Sequence, residues 1–176
     1  MKYSYIFFLL IIVASCGVKV DEEKVVSISE IKKEIHTNLD AWHKAAANAE
    51  FDAYFNLMKK DGVFIGTDAT ENWQNEAFRT FSKPYFDKGK AWSFTALERN
   101  IYLSEDKKIA WFDELLDTQM EICRGSGVLR LEDNTWKIAH YVLSITIPNN
   151  TVNEVITIKK EFDSLYTKKL LSKPSY

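Results

Sequence analysis

An α+β fold, helices first and sheet after, is the class this chain predicts, and three observations carry the prediction. From Ser27 to about Gly89 apolar residues recur at helical spacing with one short interruption. From Ala91 onward the chain is instead rich in β-branched and aromatic residues. The polar links Ser104-Glu105-Asp106 and Glu132-Asp133-Asn134 are short enough only for antiparallel neighbours. Helices that precede such a meander cover one face of its sheet.

The N-terminus reads as an address. Met1-Lys2 is weakly positive, and Tyr5 to Ala14 is largely apolar. A helix of that length reaches about 15 Å, half a bilayer core, which suits a secretory h-region and not a span. Val13-Ala14-Ser15-Cys16 resembles the lipobox of bacterial lipoproteins, cut before a cysteine that is then acylated. Residues 1–15 are therefore expected to be a signal peptide, Cys16 the lipidation site, and residues 16–26 a tether. The acidic run Asp21-Glu22-Glu23 within it resembles surface-export signals, and a solvated linker explains it equally well. The expected location is the bacterial cell envelope, periplasmic or surface-exposed, with the membrane as partner through lipid on Cys16.

The elements follow in order. Ser27 or Ser29 caps a helix to about Asn48, with Ile28, Ile31, Ile35, Leu39, Trp42, Ala46 and Ala49 on one stripe. A shorter helix carries Phe51, Tyr54, Phe55 and Met58, broken by Asp61-Gly62, and Val63 to Gly66 is a short strand. Asn72 caps a third helix with Trp73, Ala77, Phe78 and Phe81, which Pro84 and Gly89 end or kink. Trp92–Leu103, Lys108–Asp117, Ile122–Leu131 and Thr135–Ile147 are four strands. Residues 150–171 form an amphipathic helix, although Val155-Ile156-Thr157-Ile158 also has strand propensity.

Composition narrows the function. Without the signal about 160 residues remain, one domain of common size. A formal charge of −2 offers no basic field for nucleic acid. Five Trp, eight Tyr and eleven Phe either thicken a core or line a pocket. With Cys16 acylated, Cys123 has no disulfide partner. His36 and His43 lie about 10.5 Å apart along one helix, too far to share a zinc ion, and no paired ligand motif occurs. Neither a metal nor a cofactor is expected. There is no phosphate loop, and Gly125-Ser126-Gly127 sits mid-strand, where glycines allow a bulge or bend.

Ala41-Trp42-His43, Phe64 to Glu71, Ala110-Trp111-Phe112-Asp113-Glu114, Arg124 to Leu129 and Trp136-Lys137-Ile138 resemble the SnoaL-like branch of the nuclear transport factor 2-like superfamily. The resemblance spans about Ile31 to Asn149, within an expected SnoaL-like domain of residues 27–149. It implies a cone-shaped half-barrel with a pocket between sheet and helices. The superfamily mixes isomerases, cyclases, dehydratases and oligomerisation modules, so it does not settle activity. Ketosteroid-isomerase-type residues are not matched: the tyrosine donor falls on Trp42, the base on Gly66 and the acid donor on Gly127.

Candidate chemistry is therefore local. Alternation sends Asp113 and Glu114 to opposite faces, so one acid points into the cup, with a raised pKa if aromatics surround it. It would serve in acid–base chemistry, or hold strands together through Arg99 or Arg124. His140, on the parity of Trp136, Ile138 and Val142, is a third catalytic candidate or a satisfied core histidine. The expected function is binding of a small, partly apolar molecule by Trp42, Tyr54, Trp73, Trp92 and Trp111, with Arg99, Arg124 and His140 as polar fixtures. The alternatives are an isomerase- or dehydratase-type enzyme using Asp113, Glu114 or His140, and a non-catalytic homodimerisation module.

Overall fold

The structure is a computed structural model that describes residues 26–174. The expected signal peptide, Cys16 and all but the last residue of the tether lie outside the described residues.

Helix α1, Ile28–Ala47, starts at Ser27, whose hydroxyl accepts from the Glu30 amide while the Glu30 side chain accepts from the Ser27 amide. This capping box satisfies two amide donors that helix geometry would otherwise leave open. Ile31, Ile35, Leu39, Trp42 and Ala46 form its buried stripe, joined by His43. Helix α2, Phe51–Asn56, is a short turn that buries Tyr54 and Phe55.

Strand β1, Met58–Ile65, begins earlier than the expected Val63. Asp61-Gly62 does not break a helix; it is an irregularity within the strand, whose pairing shifts between Met58 and Val63. A Cβ on Gly62 would lie 2.9 Å from the Lys59 carbonyl and 3.1 Å from that of Ile138, so the kink needs glycine. Asn72 is not a helix cap. It lies in β2, Asn72–Gln74, which pairs with β1, and helix α3, Asn75–Asp87, starts after Gln74. Pro84 sits inside α3 without ending it. The carbonyl it leaves unpaired belongs to exposed Thr80, where water can serve. The helix closes at Gly89, whose φ of +79° suits glycine.

Strands β3, Phe94–Leu103, β4, Ile109–Thr118, β5, Glu121–Glu132, and β6, Thr135–Ile145, form the expected antiparallel meander. Sheet order is β2-β1-β6-β5-β4-β3, with β1 parallel to β6. Helices α1 to α3 cover the inner face of this curved, unclosed sheet, giving the cone-like α+β architecture. Helix α4, Val152–Leu171, follows and is helical through Thr157-Ile158. It buries no residue, while Ile156, Phe162 and Leu165 are exposed.

Candidate functional site

Strand register sets two inward rows across β3 to β6. One holds Arg99, Glu114, Gly125 and Leu143; the next holds Ile101, Phe112, Gly127 and Tyr141. The two glycines open a trough on β5. A Cβ on Gly125 would collide with the Tyr141 hydroxyl and lie 2.9 Å from Glu114 Oε1. Tyr141, seated opposite Gly127, therefore leans over Gly125 and donates to Glu114 Oε1 at 3.0 Å. The expected irregularity is also present, one step along, where the β5–β6 pairing shifts between Val128 and Leu129.

That shift decides which residue of β6 faces inward. Val128 pairs with His140 but Leu129 pairs with Ile138, which leaves Ala139 as the extra residue. Trp136 and Ile138 are buried before the bulge, Tyr141 and Leu143 after it. Simple alternation placed His140 in the row of Trp136 and Ile138. The bulge puts Tyr141 there, and His140 lies half-buried near Lys59, Asp61 and Arg130 on the other face.

Glu114 is 1% exposed and accepts three hydrogen bonds. His43 Nε2 of α1 lies 2.9 Å from Oε1, which also accepts from Tyr141, and Arg99 Nε donates to Oε2 at 2.7 Å. Arg99 Nη1 reaches Asp40 at 2.7 Å and the His36 carbonyl at 3.2 Å. An ionised carboxylate only accepts, so the His43 ring carries a proton on Nε2. Among the described residues its Nδ1 and Arg99 Nη2, both buried, have no hydrogen-bond partner.

Burial alone pushes the Glu114 pKa up, as expected for an acid among aromatics. The hydrogen bond and charge of His43 and the Arg99 guanidinium outweigh burial, and the carboxyl titrates below the ordinary glutamate range. This corrects the raised pKa expected from sequence. Burial, then the Glu114 charge, holds the Tyr141 phenol well above its ordinary value. His36 is lowered by partial burial and by Arg99. A carboxylate held ionised by three donors joins α1, β3, β4 and β6; it has no proton to give and is poorly suited to taking one up.

The other sequence candidates disperse. Asp113 is half-buried on the opposite face, where Asn100 donates to it at 3.2 Å. Trp111 is 46% exposed there and stacks on Tyr102, and Arg124 is also exposed. Trp111 and Arg124 therefore do not line the cup, because their strand positions have outward parity. Trp42 and Tyr54 are buried and stacked on each other at 4.8 Å as core. Trp73 and Trp92 do border a hollow, and Arg99 belongs to the Glu114 cluster. His43, Asp40 and Tyr141 were missed as partners of the acid. For His43 a signal existed: Ile35, Leu39 and His43 advance by four residues along the buried stripe.

The hollow is a cavity of about 230 Å³, open on one side, between α3, the β1–β2 connection and the start of β3. Phe64, Trp73, Phe78, Phe81, Tyr85, Trp92 and Phe94 line it, with Ala91, Met120 and Leu143. Thr67, Glu71 and Gln119 are the polar lining, together with Gly66. Trp73 and Phe81 stack at 4.7 Å, and Phe64 and Phe78 at 4.2 Å, which fixes the walls.

Residues 35–148 match the family model described as the SnoaL-like domain. Among solved structures, an NTF2-like protein of unknown function from Pseudomonas putida is 13% identical, with a TM-score of 0.58 over 70% of this chain and 92% of that one. An NTF2-like protein from Cytophaga hutchinsonii is 17% identical, with a TM-score of 0.55 over 65% of this chain and 98% of that one. The association domain of C. elegans CaMKII is 18% identical, with a TM-score of 0.54 over 65% and 95%. At such identities the likeness is one of fold. No curated protein matches the chain.

Proposed function

We propose, from the premise that this chain belongs to the SnoaL-like domain family, that its cone holds a small, partly apolar molecule in the aromatic cavity and that lipid on Cys16 tethers the domain to a bacterial envelope membrane. The cavity walled by Trp73, Phe81, Tyr85 and Trp92 carries the binding reading. Its volume lies below the roughly 300–1,000 Å³ typical of drug-sized ligands, so the occupant is a single small group or ring. Binding without turnover is favoured over catalysis by the state of the acids. Glu114 is tied to Arg99 and His43, while Asp113 and His140 sit on the far side of the sheet.

Native mass spectrometry of the mature protein tests this. The expected spectrum shows a small adduct, and Ala91→Phe, which fills the cavity, removes it while leaving circular dichroism unchanged. An adduct that survives Ala91→Phe overturns the assignment. The same spectrum counts subunits. A homodimer is the second reading, favoured by Leu97, Tyr102, Trp111 and Ile122, which are exposed on the sheet. The name of one structural neighbour, the association domain of C. elegans CaMKII, is in keeping with it.

The anchor has its own test. Palmitate labelling of the full chain in a bacterial host is expected to disappear in Cys16→Ser. Label that persists in that variant removes the lipoprotein reading.

A further inference from the structure

We propose that the aromatic cavity selects a small organic cation, a quaternary or methylated ammonium group, over an uncharged molecule of the same shape. This rests on the cavity reading above and names the chemical class of its occupant.

Three features of the lining point the same way. The first is the density of rings, whose faces carry the negative side of a quadrupole and attract a cation placed against them. Trp73, Phe81, Tyr85 and Trp92 are the half-open part of that wall. The second is charge. Among the described residues Glu71 is the one carboxylic acid of the lining, and no lysine, arginine or histidine lines the cavity with it. Among the described residues Glu71 takes part in no ion pair. A neutral guest would remove water from this carboxylate with nothing to replace it, whereas a cation compensates it.

The third feature is that the carboxylate is placed by the backbone. The Gly66 amide donates to the Glu71 carbonyl at 3.1 Å, and the Asp68 amide donates to Glu71 Oε2 at 3.3 Å. A Cβ on Gly66 would collide with that same oxygen, so glycine is what leaves room for the acid at the cavity wall. Asp68 in turn accepts from the Thr70 amide at 2.8 Å, which closes the turn. Residues 66–71 thus form a small seat that presents one anion to a box of rings. The cavity of about 230 Å³ suits a head group, and its open side lets the remainder of a larger molecule project into solvent.

Tryptophan fluorescence titration of the mature domain with choline and with tert-butylethanol, the uncharged isostere in which carbon replaces nitrogen, tests the proposal. Choline is expected to bind about tenfold more tightly than the alcohol, the ratio a partly desolvated cation–ring contact supports. Glu71→Gln is expected to weaken choline several-fold and leave the alcohol unchanged, and Ala91→Phe to abolish both. Equal affinities, or a Glu71→Gln variant that loses nothing, overturn cation selection while the cavity reading stands. Failure of both probes to bind, confirmed by equilibrium dialysis, overturns cation selection, and an absent adduct in the native spectrum would then take the cavity reading with it.

Discussion

Replacing Glu114 by alanine is expected to cost the domain about 3–5 kcal/mol, because it takes the buried partner from the Arg99 guanidinium, which keeps only Asp40 and the His36 carbonyl, and leaves His43 and Tyr141 without their acceptor. The Arg99 side chain is 3% exposed and the Glu114 side chain is fully covered. For a domain of this size each kcal/mol moves the melting temperature by about 2–4 °C, so a fall on the order of 10 °C is expected. The paired variant Arg99→Met/Glu114→Leu should be less damaged than Glu114→Ala alone, since it leaves neither charge unpaired. Titration gives an independent reading. The native carboxyl titrates below its ordinary value of 4.5. Its stabilising contribution is therefore complete above about that pH and is lost as pH falls through the lower native value. Thermal melts across the acid range should show this loss in the parent protein and a flatter profile in Glu114→Gln. A single-variant cost below about 1 kcal/mol, or identical acid profiles, would sink the account of Glu114 as the polar keystone.

Gly125→Ala is expected to destabilise the domain by about 2–3 kcal/mol, although it adds a single methyl group to a strand. The new carbon would occupy the place of the Tyr141 hydroxyl and press on Glu114 Oε1. Tyr141 and Glu114 are both buried, so neither can withdraw into solvent. The damage should be coupled to the phenol. In a Tyr141→Phe background the oxygen is gone, and the same Gly125→Ala change should cost measurably less, an interaction that a double-mutant cycle by chemical denaturation reads directly. Strictly additive costs would mean that the trough does not exist for Tyr141.

Much of the fold could be read in advance because its periodicities are local. The stripe of α1 and the four strands of the meander stand where alternation and turn residues place them. Errors arose where pairing overruled local preference. Asn72 has the chemistry of a cap, yet it pairs with Ile65 at the sheet edge. Pro84 has the chemistry of a stop, yet an exposed turn tolerates it inside α3. His140 was misplaced for a subtler reason: one inserted residue, Ala139, reverses the parity of everything after it on β6. No composition or motif announces such a bulge.

The candidate site shows the same division. Local pattern marked Glu114 as one of two acids of which one faces inward, and marked Arg99 as a partner. Trp73 and Trp92 were legible as rings for a pocket wall, but Trp42 and Tyr54 were indistinguishable from them by type and turned out to be core. His43 and Tyr141 lie 71 and 27 residues from the carboxylate they bind, and no short-range rule joins them.

Amphipathic spacing and turn chemistry act over a few residues, and from them the chain alone specifies helices ahead of a meander. Which of its many rings surround empty space depends on how α3 and the β1–β2 connection settle against the sheet, a long-range packing outcome. Whether its inward acid stays charged depends on donors arriving from α1, β3 and β6 at once, and folding alone brings them together.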